Sequence, residues 1–399
     1  MLTLEEARAL LLAELPAPET QVVPLIDAAH RVLAHEVVAR TPLPAFDHSS
    51  MDGYALVASD LVGDPPWALS VSGESVAGRK TPPLSPRSAQ RIFTGAPLPH
   101  GADTVVPQEH VARTGDGITL TRMPQAGQFV RRVGEDLPAG ARALAVGTRL
   151  SAGAIALAAM LDQAELVVAR RPRVTLLCTG SELRPPGTTG GTASIPESNS
   201  AALASLARQA GAAVHVLPLV RDDASAIEAA VAAALSADVL VTLGGVSVGD
   251  YDFVRPALER AGVAIDGWRV AIKPGKPIVL GRRGTTRVLG LPGNPASALV
   301  TFTLFGIPLL RALQGDAHPL GMLLSVRLST ARLRSPDRLE LARARLEMRD
   351  GTLWATTDAN QASGAATSLA TSDGIAFVPP GVGAVEAGGQ VDFLRWSDA

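Results

Sequence analysis

Three short glycine-rich segments in the middle of the chain each follow a run of apolar, strand-like residues. Their sequences are TGSE at residues 179–182, GGVSVGDYD at 244–252 and PGNPAS at 292–297. Glycine lets backbone N–H groups approach an anion closely, and a helix that begins after such a loop directs its positive end to the same place. A single loop of this kind is as often a tight turn. Three of them together, carrying serine, threonine and acidic side chains, favour an anion-binding site.

Lysine is rare in this chain, and its placement is uneven. Only three of the 36 basic residues are lysine, and two of these lie in the segment KPGKP at residues 273–277. A lysine ammonium is a compact charge that reaches phosphate oxygens with a geometry different from that of a planar guanidinium. Chance placement stays an alternative because the sample is small. The prolines and the glycine restrict the shape of the segment, so Lys273 and Lys276 are predicted to form a preorganised anion clamp.

Several carboxylates stand beside glycine or turn residues rather than on helix faces. Carboxylates near bound phosphates repel them unless a hard cation lies between, and Mg²⁺ is held by one or two carboxylates together with phosphate oxygens and water. For Asp222 and Asp250 an alternative is that each caps the helix that follows. The acids concerned are Asp47, Asp52, Asp136, Glu182, Asp222, Asp250 and Asp252.

The remaining reactive residues point to no further catalytic motif. The single cysteine, Cys178, excludes a disulfide framework and a multi-cysteine zinc or iron–sulfur site, and it makes a reducing cytoplasm the expected compartment. Its position at the end of an apolar strand indicates a core residue rather than a nucleophile. No Walker lysine motif and no GxGxxG segment occurs, which argues against a nucleoside triphosphatase and a dehydrogenase.

The composition is that of a globular protein without a nucleic-acid or membrane partner. Apolar residues make up 47% of the 399 residues, and the 36 basic residues nearly cancel the 38 acidic ones. A general positive field for nucleic acid is therefore not expected. The N-terminus has acidic residues where a signal peptide carries lysine or arginine. The longest apolar run, residues 152–169, is interrupted by Asp162 and Glu165, so no membrane span is expected.

The pattern of elements predicts a multidomain α/β plus β chain. Residues 1–45 and 139–171 combine helix with extended stretches and are predicted to form one discontinuous linker domain. Short apolar runs between Gly, Pro and Asp predict a small β domain, inserted at residues 46–138. Strand-like and alanine-rich helical runs alternate over residues 172–316, which predicts a doubly wound parallel α/β domain. Residues 317–399 alternate in the manner of strands and predict a second β domain, a barrel or a sandwich. A C-terminal β barrel is the expected arrangement.

This arrangement predicts where the glycine-rich loops meet. In an open parallel sheet, the loops at the carboxyl ends of the strands line one crevice. The three loops are therefore expected to converge on a single ligand site in the α/β domain.

Eight motifs, in this order along the chain, strongly resemble those of the molybdopterin molybdenumtransferase family, which includes the E domain of gephyrin. They extend from about residue 41 to residue 297, and the C-terminal stretch NQASGAATSLATSDGIAFVPPG is similar to the last domain of that family. The resemblance thus covers nearly the whole chain. The motifs are PLPAFDHSSMDGYAL, TGAPLPHGADTVVPQE, VRRVGEDLPAG, TGSEL, ESNS, GGVSVGDYD, WRVAIKPGKP and GLPGNPAS.

The resemblance implies an elongated homodimer of four-domain subunits, in which the α/β domain binds molybdopterin and the β domain of the partner subunit closes the cleft. The implied Mg²⁺ ligands are Glu182, Asp222 and Asp252. The implied catalytic residues are Asp52, Asp136, Glu182, Asp222, Asp252, Lys273 and Lys276. With the glycine-loop residues included, the binding residues are Thr94, Thr179, Gly180, Gly244, Gly245, Ser247, Gly249, Arg269, Pro292, Gly293, Asn294, Pro295 and Ser297.

The activity that the resemblance implies is insertion of molybdate into adenylylated molybdopterin, with Mg²⁺ and with release of AMP. The lysines and loop amides would hold the pyrophosphate and the molybdate, which are both oxyanions. Two positions depart from the family pattern: Ser181 stands where an acid is common and Arg269 where lysine is frequent.

Two alternative functions stay open. A molybdopterin adenylyltransferase uses a similar α/β domain and consumes ATP, but it does not need the flanking β domains; such an enzyme is also considered as a partner. A gephyrin-like interaction scaffold would tolerate loss of the acids and lysines.

Overall fold

The computed structural model describes residues 1–245 and 253–398. The expected alternation of strand and helix in the α/β region is confirmed. Alternate residues of the strand Val239–Leu243 face opposite sides: Val241 packs with one layer of helices and Leu240 with the other. Four of its five residues are apolar because both faces are covered, and the fifth, Thr242, is fully buried as well. In spatial order, the strands of this sheet are Ala213–Val216, Arg173–Cys178, Val239–Leu243, Thr286–Leu291, Pro277–Arg283 and Ala264–Arg269.

The sheet departs from the expected parallel pattern at one edge. Its first four strands are parallel, whereas Pro277–Arg283 is antiparallel to both of its neighbours. The cause is local. Only residues 284–285 separate this strand from Thr286–Leu291, Gly284 has φ of +57°, and a connection that short joins only antiparallel strands.

The helices of the α/β region include one long, interrupted helical run that starts in the PGNPAS loop. It changes to π-helical geometry over Phe302–Gly306. Within this run Pro308 has no N–H to offer the carbonyl of Leu304, four residues earlier. The Nε of Arg8, on the N-terminal helix, donates to this carbonyl at 3.0 Å. The helices are Leu4–Leu12, Asn199–Gln209, Ala224–Ala234, Val254–Arg260, Pro295–Thr301 and Ile307–Ala312.

The long run also corrects the view that residues 152–169 are the most membrane-like segment. Within the part of the chain that the structure describes, Pro295–Ala312 is long and apolar enough to cross a bilayer, with a mean hydropathy of 1.4. It is nevertheless 78% buried inside the protein. That burial is what the core helix of a globular domain shows.

The region before the α/β sheet contains a second six-stranded sheet and several short strand pairs. Thr20–Pro24 pairs with Glu165–Ala169, and Val37–Val38 with Arg142–Leu144. The helix Ala152–Met160 packs with them. The six strands, in spatial order, are Thr104–Pro107, Gly53–Leu56, Ser88–Ile92, Trp67–Ser75, Gly117–Leu120 and Val111–Thr114; His48–Ser49 pairs with Val130–Arg131 beside them.

The C-terminal strands close into the predicted barrel. Closure occurs because Leu339–Arg349 pairs with Thr352–Thr357 on one side and with Gly374–Val378 on the other. The parallel pairing of Ile272 with Leu339 joins the KPGKP segment to this barrel. The remaining elements are Leu324–Leu328, Arg332–Leu333, Thr367–Thr371, Ala384–Val385 and Gln390–Arg395.

Candidate active site

A cleft of about 490 Å³ lies at the carboxyl ends of the parallel strands. Backbone hydrogen bonds continue past the strand ends and bring the loops together: the N–H of Thr179 donates to Leu243 at 3.0 Å, and the N–H of Gly244 donates to Leu291 at 3.1 Å. Within the described residues, the predicted convergence of the three loops is what the structure shows. The predicted site residues that line the cleft are Thr179, Gly180, Glu182, Asp222, Gly244, Gly245, Gly293, Asn294 and Pro295.

Two of these positions require glycine. Gly244 has φ of +91°, and a Cβ there would lie 2.8 Å from the carbonyl oxygen of Thr179. Gly245 has φ of +63°, and its Cβ would lie 2.5 Å from a methyl carbon of Val254. Any side chain would therefore force these loops apart. Three other predicted residues of this segment, Ser247, Gly249 and Asp252, lie outside the described residues, as does Asp250.

The Asp222 carboxylate braces two loops of the cleft. Its Oδ2 accepts from the N–H of Ser181 at 2.9 Å, and its own N–H donates to the Oγ of Ser181 at 3.1 Å. The alternative that Asp222 caps the next helix is wrong, because Asp223 holds that position and accepts from the N–H of Ala226 at 2.9 Å. Glu182 is exposed beside this pair. Both acids thus present carboxylate oxygens to the cleft.

A buried carboxylate at the floor of the cleft escaped the sequence reasoning. Glu197 is only 5% exposed. It accepts hydrogen bonds from the N–H and the hydroxyl of Ser200 and from the thiol of Cys178. Burial, followed by the charge of Glu197, raises the pKa of the Cys178 thiol well above its usual range. The thiol therefore stays protonated, as expected for a core cysteine.

Asn199 is a second cleft residue that the sequence reasoning did not single out. Its Nδ2 donates to the carbonyl of Gly293 at 2.6 Å. This bond joins the start of the helix Asn199–Gln209 to the PGNPAS loop. The only sequence signal was the ESNS motif, which carries both Glu197 and Asn199 but does not show which of its side chains are buried.

The two predicted clamp lysines line a neighbouring cavity of about 370 Å³. Lys273 and Lys276 form one side of it, and Asn294 belongs to the walls of both cavities. The barrel domain supplies the other side, which sequence reasoning missed entirely. Further residues of this cavity are Pro292, Ser297, Arg338, Glu340, Gln361 and Ser363.

A fully buried arginine holds the barrel loop that forms this wall. The side chain of Arg343 donates to the Oγ of Ser368 at 2.7 Å and to the carbonyls of Asn360 and Ala362 at 3.1 Å. Its backbone N–H and carbonyl bond the amide of Gln361 at 3.0 and 2.8 Å. The loop is therefore fastened on several sides rather than free in solvent.

Arg269 lies at the same edge of the sheet as these cavities, although it lines neither of them. Its guanidinium carbon is 4.0 Å from the ring centroid of Trp268, and that of Arg255 is 4.7 Å from the same ring. Arg269 pairs with Pro277 at the end of the antiparallel edge strands. Pro277–Arg283 runs antiparallel to Thr286–Leu291, so its first residue, Pro277, lies level with the carboxyl ends of the parallel strands. Arg269, which pairs with Pro277, lies at the same level.

The three predicted site residues of the N-terminal β domain line neither cavity. Asp52 accepts from the N–H and the hydroxyl of Thr94, both at 2.8 Å, and these hydrogen bonds lower the pKa of the Asp52 carboxyl. Asp136 is exposed, while the nearby Asp47 is bound by Arg132 at 2.6 Å. Within residues 1–245 and 253–398, no group of three or more His, Cys, Asp or Glu side chains is placed to hold a metal ion.

Comparison with known families accounts for nearly the whole chain. Residues 2–161 match the MoeA N-terminal region (domain I and II), residues 175–312 a probable molybdopterin binding domain, and residues 325–396 the MoeA C-terminal region (domain IV). A molybdopterin molybdenumtransferase of Haemophilus influenzae is 41% identical, over 79% of this chain and 78% of its own. The chain belongs to the molybdopterin molybdenumtransferase family.

Other members of the family agree over a longer span. Molybdopterin molybdenumtransferase 2 of Mycobacterium tuberculosis is 39% identical over 92% of this chain and 93% of its own. The crystal structure of the molybdopterin biosynthesis moeA protein from Pyrococcus horikoshii superimposes with a TM-score of 0.86 at 27% identity, over 99% of this chain and all of that one. The multidomain fold is therefore that of the family.

Proposed function

We propose that this protein is a transferase of molybdenum cofactor biosynthesis that inserts molybdate into adenylylated molybdopterin and releases AMP. The observation that carries the proposal is the pair of cavities that meet at Asn294. One is lined by close-packed glycine loops and acids, and the other by two lysines. Such a pair suits a pterin phosphate ester in the first cavity and a small oxyanion in the second.

The residues of each cavity suggest their tasks. Lys273 and Lys276, with the hydroxyl groups of Ser297 and Ser363, offer cationic and neutral donors to molybdate. In the larger cleft, Gly244 and its neighbours permit the backbone to approach the phosphates. Donors fixed in place before binding stabilise the charge that shifts between the oxyanions during the exchange.

The acids of the cleft fit the chemistry of a magnesium site. Asp222 uses one oxygen to hold Ser181, no described residue donates to its other oxygen, and Glu182 lines the cleft with it. Oxygen ligands of this type are those that Mg²⁺ prefers. Glu182 and Asp222, with Asp252 from the loop that follows Gly245, are the proposed ligands. Bound Mg²⁺ would offset the negative charge of the phosphate oxygens as AMP departs.

A homodimer in the cytoplasm is part of the proposal. Asp52, Thr94 and Asp136 line neither cavity of their own subunit, so a second copy is needed if they are to reach a substrate. Large apolar side chains are exposed in the linker region, among them Val22 and Ile26. Light scattering at micromolar concentration is expected to give the dimer mass. A monomer mass would contradict this part of the proposal.

The test of the activity is direct. The protein is incubated with adenylylated molybdopterin, Mg²⁺ and molybdate, and AMP is measured together with the activity of the cofactor that forms. AMP release that depends on molybdate, without ATP consumption, is expected. Consumption of ATP with pyrophosphate release would instead indicate an adenylyltransferase, and absence of both reactions would favour a scaffold.

A further inference from the structure

The side chain of Asn199 controls the direction of one peptide bond in the PGNPAS loop. Its Nδ2 lies 2.6 Å from the carbonyl oxygen of Gly293, a residue 94 positions further along the chain. Gly293 also faces the backbone of Gly244, since a Cβ on Gly293 would lie in ordinary contact, 3.5 Å from the Cα of Gly244. The amide of Asn199 is thus the hydrogen-bonding contact that sets how this peptide plane is turned.

The orientation of this peptide bond also sets the direction of the N–H of Asn294. The bond between Gly293 and Asn294 is trans, and in a trans peptide the C=O and the following N–H point in opposite directions. Because the Gly293 carbonyl is held toward Asn199, the N–H of Asn294 points away from Asn199. No carbonyl or side chain of the described residues accepts from that N–H. Asn294 stands on the wall that the two cavities share, so its N–H, which no described residue accepts, lies beside both cavities.

The buried carboxylate of Glu197 secures Asn199 in turn. Glu197 accepts from the N–H of Ser200 at 2.9 Å and from the hydroxyl of the same residue. Both bonds fix the first turn of the helix Asn199–Gln209, of which Asn199 is the first residue. The backbone from which the Asn199 side chain extends is consequently held by a buried carboxylate, and the amide itself is held by its bond to Gly293.

We propose that Asn199 is a positioning residue for the step in which molybdate replaces the adenylate. By holding the Gly293 carbonyl, Asn199 directs the N–H of Asn294 toward the molybdate at the wall between the two cavities. The inference rests on the proposed function, because that function supplies the molybdate. It concerns a residue outside the lysine clamp and outside the acids. It assigns Glu197 the role of fixing the helix turn from which Asn199 acts.

The experiment compares Asn199→Ala and Asn199→Asp with wild type and with Ser205→Ala, an exposed change on the same helix. The KM for molybdate and the kcat are measured by AMP release at saturating adenylylated molybdopterin. The Kd of that pterin is measured separately without molybdate. Loss of one hydrogen bond predicts a KM for molybdate that is about tenfold higher in Asn199→Ala, with little change in pterin Kd.

The order of the two variants in KM for molybdate distinguishes a positioning role of Asn199 from a merely structural one. An aspartate has the size of asparagine and is favourable in the first turn of a helix, so Asn199→Asp is expected to be at least as stable as Asn199→Ala. Its carboxylate would nevertheless repel the Gly293 carbonyl, and its KM for molybdate should exceed that of Asn199→Ala. A merely structural role predicts the opposite order, with Asn199→Asp closer to wild type in both stability and KM.

Each outcome is decisive. Unchanged KM for molybdate in both variants, beside an active wild type, overturns the inference and leaves the proposed function standing. A rise confined to the Kd of the pterin also overturns it, because Asn199 would then be a direct pterin contact. A wild type that releases no AMP with molybdate overturns the proposed function itself, and the inference with it.

Discussion

Ser181 and Asp222 exchange two hydrogen bonds across the mouth of the cleft, each using a backbone N–H and a side-chain oxygen. The distances are 2.9 and 3.1 Å. The hydroxyl of Ser181 provides the acceptor that the backbone N–H of Asp222 needs. The loops that follow two neighbouring parallel strands are thereby joined, and within the described part of the chain nothing donates to the second oxygen of Asp222.

This pair predicts a separation of stability and turnover in Asp222→Asn. The amide oxygen still accepts from Ser181, so the free energy of unfolding should change by less than about 1 kcal/mol. The carboxylate charge is lost, so AMP release should fall by about tenfold or more at limiting Mg²⁺. AMP release is followed against Mg²⁺ concentration. The matched control is Asp223→Asn, a helix cap that asparagine replaces well; an equal loss of turnover in both variants would contradict the assignment.

Lys276 is expected to act mainly through its charge. Lys276→Ala should raise the KM for molybdate by about tenfold or more, because a charge-assisted hydrogen bond is lost from the smaller cavity. Lys276→Arg keeps the charge with a different geometry and should lie between Lys276→Ala and wild type. Steady-state AMP release at varied molybdate measures both. Lys80→Ala, the exposed third lysine, is the control; equal KM values for Lys276→Ala and Lys80→Ala would remove Lys276 from the site.

The larger cleft was predictable from the sequence because its parts follow from local rules. A strand that ends in a glycine-rich loop is visible as a pattern, and parallel strands bring such loops to one edge. Thr179, Gly244 and Gly293 were therefore predicted to lie near one another. The mixed edge of the sheet was not predicted, since the two-residue connection at Gly284 was not recognised as a hairpin.

Only the lysine side of the smaller cavity was predictable from the sequence. Its lysines stood out by their rarity, but its opposite wall comes from the barrel. Nothing in the sequence near Ser363 indicates that a buried Arg343, 20 positions earlier, holds the loop. Asn199 and Gly293 are 94 positions apart along the chain. Such contacts depend on the tertiary packing of segments that are distant along the chain, and that packing leaves no periodic signal in the sequence.

The contact between Arg8 and Leu304 predicts a coupling with Pro308. Arg8→Met removes the donor from a buried carbonyl and should lower the free energy of unfolding by about 1–3 kcal/mol. Pro308→Ala supplies a backbone N–H to the same turn. In the Pro308→Ala background, Arg8→Met should therefore lower the free energy of unfolding by less than it does in the wild-type background. A double-mutant cycle by urea denaturation measures the difference; strictly additive effects would show that the two residues do not share the carbonyl.

Asp238 predicts a pH dependence of stability at the junction of the linker and the α/β sheet. Its carboxylate accepts from the side chains of Arg170 at 2.9 Å and Arg173 at 3.0 Å, and from the N–H of Arg173 at 2.7 Å. Burial alone would raise the pKa of Asp238, but these hydrogen bonds outweigh it and lower the pKa to about 2. Because the pKa is lower in the folded state than in the unfolded state, the charged form stabilises the fold.

The direction of this pKa shift sets the pH range over which Asp238 stabilises the fold. The stabilisation is fully present above the unfolded pKa of about 4 and is lost as the pH falls toward 2. Asp238→Asn should therefore be less stable than wild type at pH 6, by on the order of 1–2 kcal/mol after solvent screening. The difference should shrink between pH 5 and pH 3. Urea denaturation of both proteins at each pH measures it, with the exposed Asp64→Asn as control. A difference between wild type and Asp238→Asn that stays constant down to pH 3 would show that the arginines are not held through the charge of Asp238.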